Sequence, residues 1–184
     1  MSIVNDTADE VSPAGSDRPA GESAPPAPNA GAPKPDEWEK LFEVSSVADL
    51  FGTHKGEPMV RYLRLGDGTM AFKGASAGVS RRSAPARAGQ VFRATTTITA
   101  QGEGETVPAH FGPIFLDARD EIVMYCPPLT IAAFGETQDV EVRAVAPPGT
   151  MAVRLRLVGA WAPDKDTSLI TCTYGAATLY RSAT

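Results

Sequence analysis

Three aromatic residues and two arginines occupy positions in this chain from which their side chains could bind a ligand. Flat aromatic rings pack against the apolar faces of pyranose rings, and arginines donate hydrogen bonds to sugar oxygens. Trp161 follows an apolar run and precedes a polar loop at 162–166, where its ring could lie exposed beside polar partners. The alternative is that Trp161 caps the core. The other candidates are Tyr62, Tyr125, Arg154 and Arg156.

The two arginines belong to a segment whose side chains alternate between apolar and polar. A Pro147-Pro148-Gly149 turn opens this segment. Side chains of a strand point alternately to its two faces, so the pattern predicts a half-buried strand of an antiparallel sandwich. The predicted core face is Met151, Val153, Leu155 and Leu157, and the opposite face is Ala152, Arg154, Arg156 and Val158. The plainer interpretation of Arg154 and Arg156 is that they only solvate this opposite face.

The same alternation orients the two tyrosines. Tyr125 falls on the face opposite to Ile122 and Met124, so we expect it to face solvent. Tyr62 falls opposite to Leu63 and Leu65, where it could complete a polar groove with the arginines.

Catalytic and metal chemistry have little support in the sequence. The histidines are His54, in a loop, and His110, at the start of a predicted strand, and for each a structural or exposed role is the expected one. No nucleophile elbow, zinc-protease motif, phosphate loop or dinucleotide fingerprint occurs. Neighbouring carboxylates at Asp117, Asp120 and Glu121 fit an exposed turn. We therefore expect no catalytic residue, no metal site and no cofactor.

The only cysteines are Cys126 and Cys172, far apart and both in apolar surroundings. We expect two reduced, partly buried thiols, with a disulfide between the two sheets as the alternative.

Composition and charge exclude several classes of partner. The chain has 184 residues, 42% of them hydrophobic, and a net charge of -5. Nucleic-acid binding needs a basic face, which this balance does not favour. No apolar run approaches the roughly 20 residues of a membrane span, and the first ten residues lack the features of a secretory signal. We therefore expect a soluble chain, cytoplasmic or particle-associated by default.

The first 35 residues differ from the rest of the chain. They contain seven of the sixteen prolines and no aromatic residue, a composition typical of a disordered acidic tail. Such a tail could tether the domain to a larger assembly or be dispensable. We expect one folded domain over 36–184. The spacing of Trp38, Leu41 and Phe42 predicts a short helix over about 36–44, with an edge strand as the alternative, and residues 46–52 suggest a single helical turn.

From residue 59 onward, apolar residues recur at every second position, as they do in β-strands. Eight or nine strands are predicted, joined by turns and by a Gly/Ser/Ala-rich loop at 74–80. Regular strand spacing with turn signals indicates an all-β sandwich or barrel. The predicted strands are 59–65, 69–73, 91–100, 109–118, 121–125, 138–145, 151–158, 168–174 and 176–181.

Several of these turn-plus-strand pieces resemble the jelly-roll, galactose-binding-like carbohydrate-binding modules attached to glycoside hydrolases. The pieces are 68–72, 88–94, 114–118 with 121–123, and 145–157. The resemblance covers about 60–181 and implies an antiparallel β-sandwich that binds a glycan. Modules of this family commonly hold a structural calcium ion with an aspartate of the last strand. Residues 171–180 contain no carboxylate, so no calcium site is expected here.

The function expected from the sequence is therefore non-catalytic recognition of a glycan or polysaccharide, by aromatic stacking and polar contacts. One alternative is a structural or assembly protein, such as a particle decoration or tail component, that uses the sandwich for protein contacts. A further alternative is an accessory domain of a hydrolase that has lost its catalytic partner.

Overall fold

The computed structural model describes residues 37–51, 63–64, 70–103, 107–125, 129–131, 134–161 and 166–183. These residues form fourteen β-strands and one short 3-10 helix, Val47–Asp49. The strands are β1 Trp38–Val44, β2 Leu50–Phe51, β3 Leu63–Arg64, β4 Met70–Lys73, β5 Ala77–Ser80, β6 Ala84–Pro85, β7 Val91–Gln101, β8 Val107–Leu116, β9 Ile122–Met124, β10 Leu129–Ile131, β11 Thr137–Val145, β12 Ala152–Ala160, β13 Thr171–Tyr174 and β14 Ala177–Ser182.

The strands form two antiparallel sheets. In the first sheet the order is β1-β14-β7-β13-β4-β3, and β11 pairs with β7. In the second sheet the order is β10-β8-β12-β5-β2, while β6 pairs with β12 and β9 with β8. The predicted all-β jelly-roll sandwich is confirmed. None of the helices in the described residues is long and apolar enough to cross a bilayer.

The side chains of strand β12 point alternately into the core and to the outer face of the second sheet. Val153, Leu155 and Leu157 are fully buried between the sheets, as the alternation predicts. Met151 does not join them: it precedes the strand and is 59% exposed. Its backbone N–H donates to the Leu116 carbonyl, which aligns the start of β12 with the end of β8.

The predicted helix over 36–44 is wrong and the alternative, an edge strand, is confirmed, because Trp38–Val44 forms strand β1 at the edge of the first sheet. It pairs with β14, and its register shifts between Lys40 and Phe42. Such a bulge moves the following side chains to the other face. Apolar side chains therefore recur at Trp38, Leu41 and Phe42, a spacing that imitates a helix. The single turn expected next is present as the 3-10 helix Val47–Asp49, where Asp49 Oδ2 accepts from the backbone N–H of Ser46 at 3.1 Å.

The predicted loop at 74–80 is also wrong in part, because Ala77–Ser80 forms β5, whose four residues are buried. A Cβ at Gly78 would lie 2.9 Å from Leu50 Cδ1 and 3.3 Å from a ring carbon of Phe72. The small residues that look like a flexible loop are those that let β5 approach its neighbours closely.

Tyr174 connects the two sheets through its hydroxyl. It lies on β13 of the first sheet, and its hydroxyl reaches the backbone carbonyls of Val158 and His110 in the second. Burial raises the pKa of this phenol well above its usual value, so it remains a hydrogen-bond donor. The contact fixes the place where β8 and β12 pair.

We expect Tyr174→Phe to lower the free energy of unfolding by about 1–3 kcal/mol, because it removes the donor for a buried carbonyl. Urea denaturation measures this difference. Tyr180→Phe is the control, since Tyr180 lies half-exposed on the outer face of the first sheet and we expect a change within about 0.5 kcal/mol. Equal losses in the two variants would contradict a structural role for the Tyr174 hydroxyl.

The prediction of a reduced, buried thiol is confirmed for one of the two cysteines. Cys172 is a buried free thiol on β13, and burial raises its pKa to about 11, so it is unreactive at neutral pH. The sequence also led to predictions about residues that lie outside the described part of the chain: Cys126, Tyr62, His54 and the tail over 1–35.

Candidate functional site

Two of the five candidate residues, Tyr125 and Arg156, line one recess on the outer face of the second sheet. Arg156 of β12 pairs in register with Gly112 of β8, and Val158 pairs with His110. His110, Gly112 and Arg156 therefore face the same way, outward from the core. The recess holds about 10 Å³, room for roughly one water. Its lining residues are His110, Phe111, Gly112, Ile114, Tyr125 and Arg156; we refer to it as the Arg156 recess.

Gly112 forms the floor of this recess. It adopts a φ of 144°, a backbone conformation that side-chain-bearing residues rarely adopt. A glycine within a strand often marks a place where another group approaches the backbone closely. The absence of a side chain here leaves space between His110 and Ile114 on the same face of β8.

Tyr125 and Arg156 form one wall of the recess. The guanidinium carbon of Arg156 lies 5.0 Å from the centre of the Tyr125 ring, which is cation–π geometry. Tyr125 follows β9 directly and is 45% exposed, so the predicted outward orientation is confirmed. The charged group and the aromatic surface are thus held side by side.

His110 also lines the recess, and Trp161 lies against it. Their ring centres are 5.7 Å apart in an edge-on arrangement, and Trp161 is 47% exposed. The backbone N–H of Trp161 donates to the Pro108 carbonyl at 3.0 Å, which fixes the residue at the end of β12. Trp161 therefore does not cap the core. Partial burial, and secondarily the positive charge of Arg156, lower the pKa of His110, so its imidazole is neutral at pH 7.

Arg154 lies on the same face, but its side chain contacts neighbouring strands of the sheet. Its Nη1 donates to the carbonyls of Ser80 at 2.9 Å and Arg81 at 3.0 Å, and its guanidinium lies 5.4 Å from the Phe51 ring centre. Its side chain is only 15% exposed. These contacts connect β12 to β5 and β2, and the groove predicted for Arg154 and Arg156 with Tyr62 involves a residue outside the described part of the chain.

The carboxylates near the β8–β9 turn also have a structural role. Asp117 Oδ1 accepts the backbone N–H groups of Arg119 at 2.7 Å and Glu121 at 3.0 Å, and Asp120 adopts a left-handed φ of 63°. These are turn contacts, as expected for this hairpin. No group of three or more metal-binding side chains occurs in the part of the chain that the structure describes.

A second group of arginines and aromatic rings lies on the outer face of the first sheet. The guanidinium of Arg93 lies between the rings of Trp38 and Tyr180, at 4.9 and 4.5 Å from their centres. Glu141 is 3.7 Å from Arg93 and 2.7 Å from Arg143. Because Glu141 pairs with both arginines, and Arg93 also contacts two rings, this group connects neighbouring strands of the first sheet.

His110 and Gly112 are the site residues that sequence reasoning missed. The sequence feature that could have revealed them is the pattern His110-x-Gly112-x-Ile114, in which a histidine and a glycine lie on the outward face of one strand. Recognising it requires the register of β8 against β12, which the sequence alone does not specify.

No protein-family model matches the sequence, and the search of curated proteins finds no match. Solved structures do match. The CBM22-2 xylan-binding domain from Paenibacillus barcinonensis Xyn10C aligns with a TM-score of 0.51 and 9% identity, over 78% of this chain and 99% of that domain. The CBM22-1 xylan-binding domain of the same protein gives 0.47 and 8%, over 79% and 96%.

A third structure contains the CBM22-1 and GH10 modules of Clostridium thermocellum endo-1,4-beta-D-xylanase 10B with xylohexaose. It gives a TM-score of 0.45 and 14% identity over 80% of this chain, which spans only 26% of that structure. Identities this low show the fold alone. This protein has the jelly-roll fold found in carbohydrate-binding modules, as the sequence resemblance predicts.

Proposed function

We propose that this chain is a non-catalytic carbohydrate-binding domain that holds a polysaccharide at the Arg156 recess. One observation carries the proposal: Tyr125, Arg156 and His110 line one recess together with Gly112, and the exposed ring of Trp161 lies against His110 beside it. Exposed aromatic rings beside polar groups are the chemistry that sugar rings require.

The fold supports the same function. The Paenibacillus barcinonensis domain that shares it is a xylan-binding domain, and it is an isolated module of similar size. Fold alone does not establish a ligand, so the proposal depends on the recess. The assembly alternative uses the sandwich for protein contacts and the tail over 1–35 as a tether; that tail lies outside the described residues, and the structural neighbours do not favour this alternative.

A recess of this size cannot enclose a whole sugar. We propose instead that one polar substituent enters the recess, while the ring rests on the exposed surfaces of Tyr125 and Trp161.

We expect Trp161→Ala to weaken polysaccharide binding by about 2 kcal/mol, or roughly 30-fold, because a large exposed ring supplies much of the contact. Affinity electrophoresis against a panel of neutral and acidic polysaccharides measures the effect. The control is Leu169→Ala, which removes an apolar side chain that is 79% exposed at the far end of the connection between β12 and β13. If no polysaccharide is bound, or if both variants lose affinity equally, this function is wrong.

A further inference from the structure

A cleft of about 360 Å³ lies at the end of the sandwich where β1 begins and β14 ends. Its lining also includes residues of β6 and of the connection from β6 to β7, so both sheets contribute to it. Small-molecule sites in proteins enclose roughly 300–1,000 Å³. The cleft therefore has room for a sugar ring, which the Arg156 recess does not. The polar side chains that line it are Glu39, Arg87, Gln90, Arg181 and Ser182; we refer to it as the end cleft.

One wall of the end cleft is the turn that leads into β7. Gly89 adopts a left-handed φ of 83°, and its N–H donates to the Ala146 carbonyl at 2.9 Å. The Ala146 N–H donates in turn to the Gln90 carbonyl at 2.9 Å, so the turn is fixed to the end of β11. Gln90 Oε1 accepts the backbone N–H of Arg87 at 2.9 Å. Because that oxygen is engaged, the NH₂ group of Gln90 remains as a donor for a ligand.

The opposite wall is an ion pair held between two strands. Glu39 of β1 lies directly opposite Arg181 of β14, and the Ala183 N–H donates to the Glu37 carbonyl at 2.7 Å just beyond it. Arg181 donates to Glu39 Oε2 from Nε at 3.2 Å and from Nη2 at 2.6 Å. Both contacts use one oxygen of the carboxylate. Oε1 of Glu39 therefore remains as an acceptor for a ligand, and Nη1 of Arg181 remains as a donor.

The chemistry of this lining selects a neutral ligand that is rich in hydroxyl groups. A hydroxyl both donates and accepts, and the end cleft supplies a carboxylate acceptor beside amide and guanidinium donors. An apolar ligand would find only Pro85 and Ala183. An anion would meet the Glu39 carboxylate, and two arginines with one glutamate give the lining a net charge of only +1.

We propose that the end cleft is a second carbohydrate site, which binds a neutral sugar residue through hydrogen bonds to its hydroxyl groups. Glu39 Oε1 accepts from one hydroxyl, while the side chains of Arg87 and Gln90 donate to others. The inference goes beyond the proposed function, because the end cleft shares no lining residue with the Arg156 recess and either site can bind without the other. Recognition by fixed hydrogen bonds discriminates between sugars that differ in one hydroxyl.

Titration of the full chain with single sugars tests the proposal, followed in a nitrogen–proton correlation spectrum. The sugars are D-xylose, D-glucose, D-galactose, D-mannose and D-glucuronate. We expect at least one neutral sugar to bind with a Kd of about 1 mM, the strength of a few hydrogen bonds. The backbone signals of Gly89 and Ala183 and the side-chain amide signals of Gln90 should shift, and the indole signal of Trp161 should not.

Arg87→Ala should weaken this binding about tenfold or more, because it removes a charged donor. The hydrogen bonds that the structure gives Arg87 are made by its backbone, so we expect the variant to fold normally. The control is Lys73→Ala, which removes an exposed cation of β4. Lys73 pairs with Thr171, which pairs with Gln101 at the opposite end of β7. Lys73→Ala and Trp161→Ala should both bind the sugar as the unchanged chain does.

Three results would overturn the inference. The first is that no neutral sugar shifts the signals of Gly89, Gln90 and Ala183. The second is undiminished binding by Arg87→Ala, and the third is tenfold tighter binding of D-glucuronate than of D-glucose. A sugar whose binding is lost in Trp161→Ala but kept in Arg87→Ala would place it at the Arg156 recess, which overturns this inference and supports the proposed function.

Discussion

Replacing Gly159 with alanine is expected to destabilise the protein by about 3 kcal/mol or more, as overpacking against an unyielding backbone does. Gly159 lies near the end of β12, and its N–H donates to the Ser76 carbonyl at 2.7 Å. A Cβ at this position would lie 2.3 Å from the Gly74 carbonyl oxygen and 3.0 Å from Phe72. Because two of the three nearest atoms belong to the backbone, a side-chain rotation cannot relieve the clash.

Urea denaturation gives the free energies of unfolding. Gly149→Ala is the matched control: Gly149 has a φ of 85° and no atom lies within 4 Å of its added Cβ. The free energy of unfolding of that variant should fall by only roughly 1–2 kcal/mol, the cost of placing a residue with a side chain in the left-handed conformation. If Gly159→Ala lowers the free energy of unfolding no more than Gly149→Ala does, β12 does not approach the turn after β4 as closely as described here. Trp161 is two residues away, so the destabilised variant should also lose ligand binding.

The second large effect is expected at the Tyr125–Arg156 wall of the recess. We expect Tyr125→Ala and Arg156→Ala each to weaken polysaccharide binding by about 2 kcal/mol, roughly 30-fold. The guanidinium lies 5.0 Å from the ring centre, so removal of either side chain removes a contact that helps to position the other. The double variant should therefore lose little more than either single variant, with a coupling of about 1–2 kcal/mol.

Isothermal titration of the four proteins measures this cycle. Arg143→Ala is the control for the loss of an exposed arginine, since its side chain is 40% exposed and pairs with Glu141 on the other sheet. Fully additive losses would show that Tyr125 and Arg156 act independently. Unchanged affinity in both single variants would place the ligand elsewhere.

The sequence predicted the strands that follow a strict period of two. In β12 the alternation of Val153, Leu155 and Leu157 with two arginines identified the core face correctly, because no bulge interrupts that part of the strand. It failed at β1, where the bulge near Leu41 changes the period, and at β5, where close packing selects residues that are typical of loops. Both failures come from local geometry that single-residue propensities do not encode.

The candidate site was predicted in part for a related reason. Exposure of Trp161 and Tyr125 follows from their positions at strand ends, and the outward orientation of Arg156 follows from alternation. The structural role of Arg154 could not be foreseen, because it depends on carbonyls 73 and 74 residues away. His110 and Gly112 become recognisable only when β8 and β12 are in register.

The most direct test of glycan binding at the Arg156 recess uses the only two tryptophans of the chain, Trp38 and Trp161. Each gives one indole N–H signal in a nitrogen–proton correlation spectrum, and Trp161→Phe assigns them. On titration with a binding polysaccharide or its oligosaccharide, we predict that the Trp161 signal shifts and saturates while the Trp38 signal stays in place. Movement of the Trp38 signal alone would contradict this account and place the ligand on the first sheet.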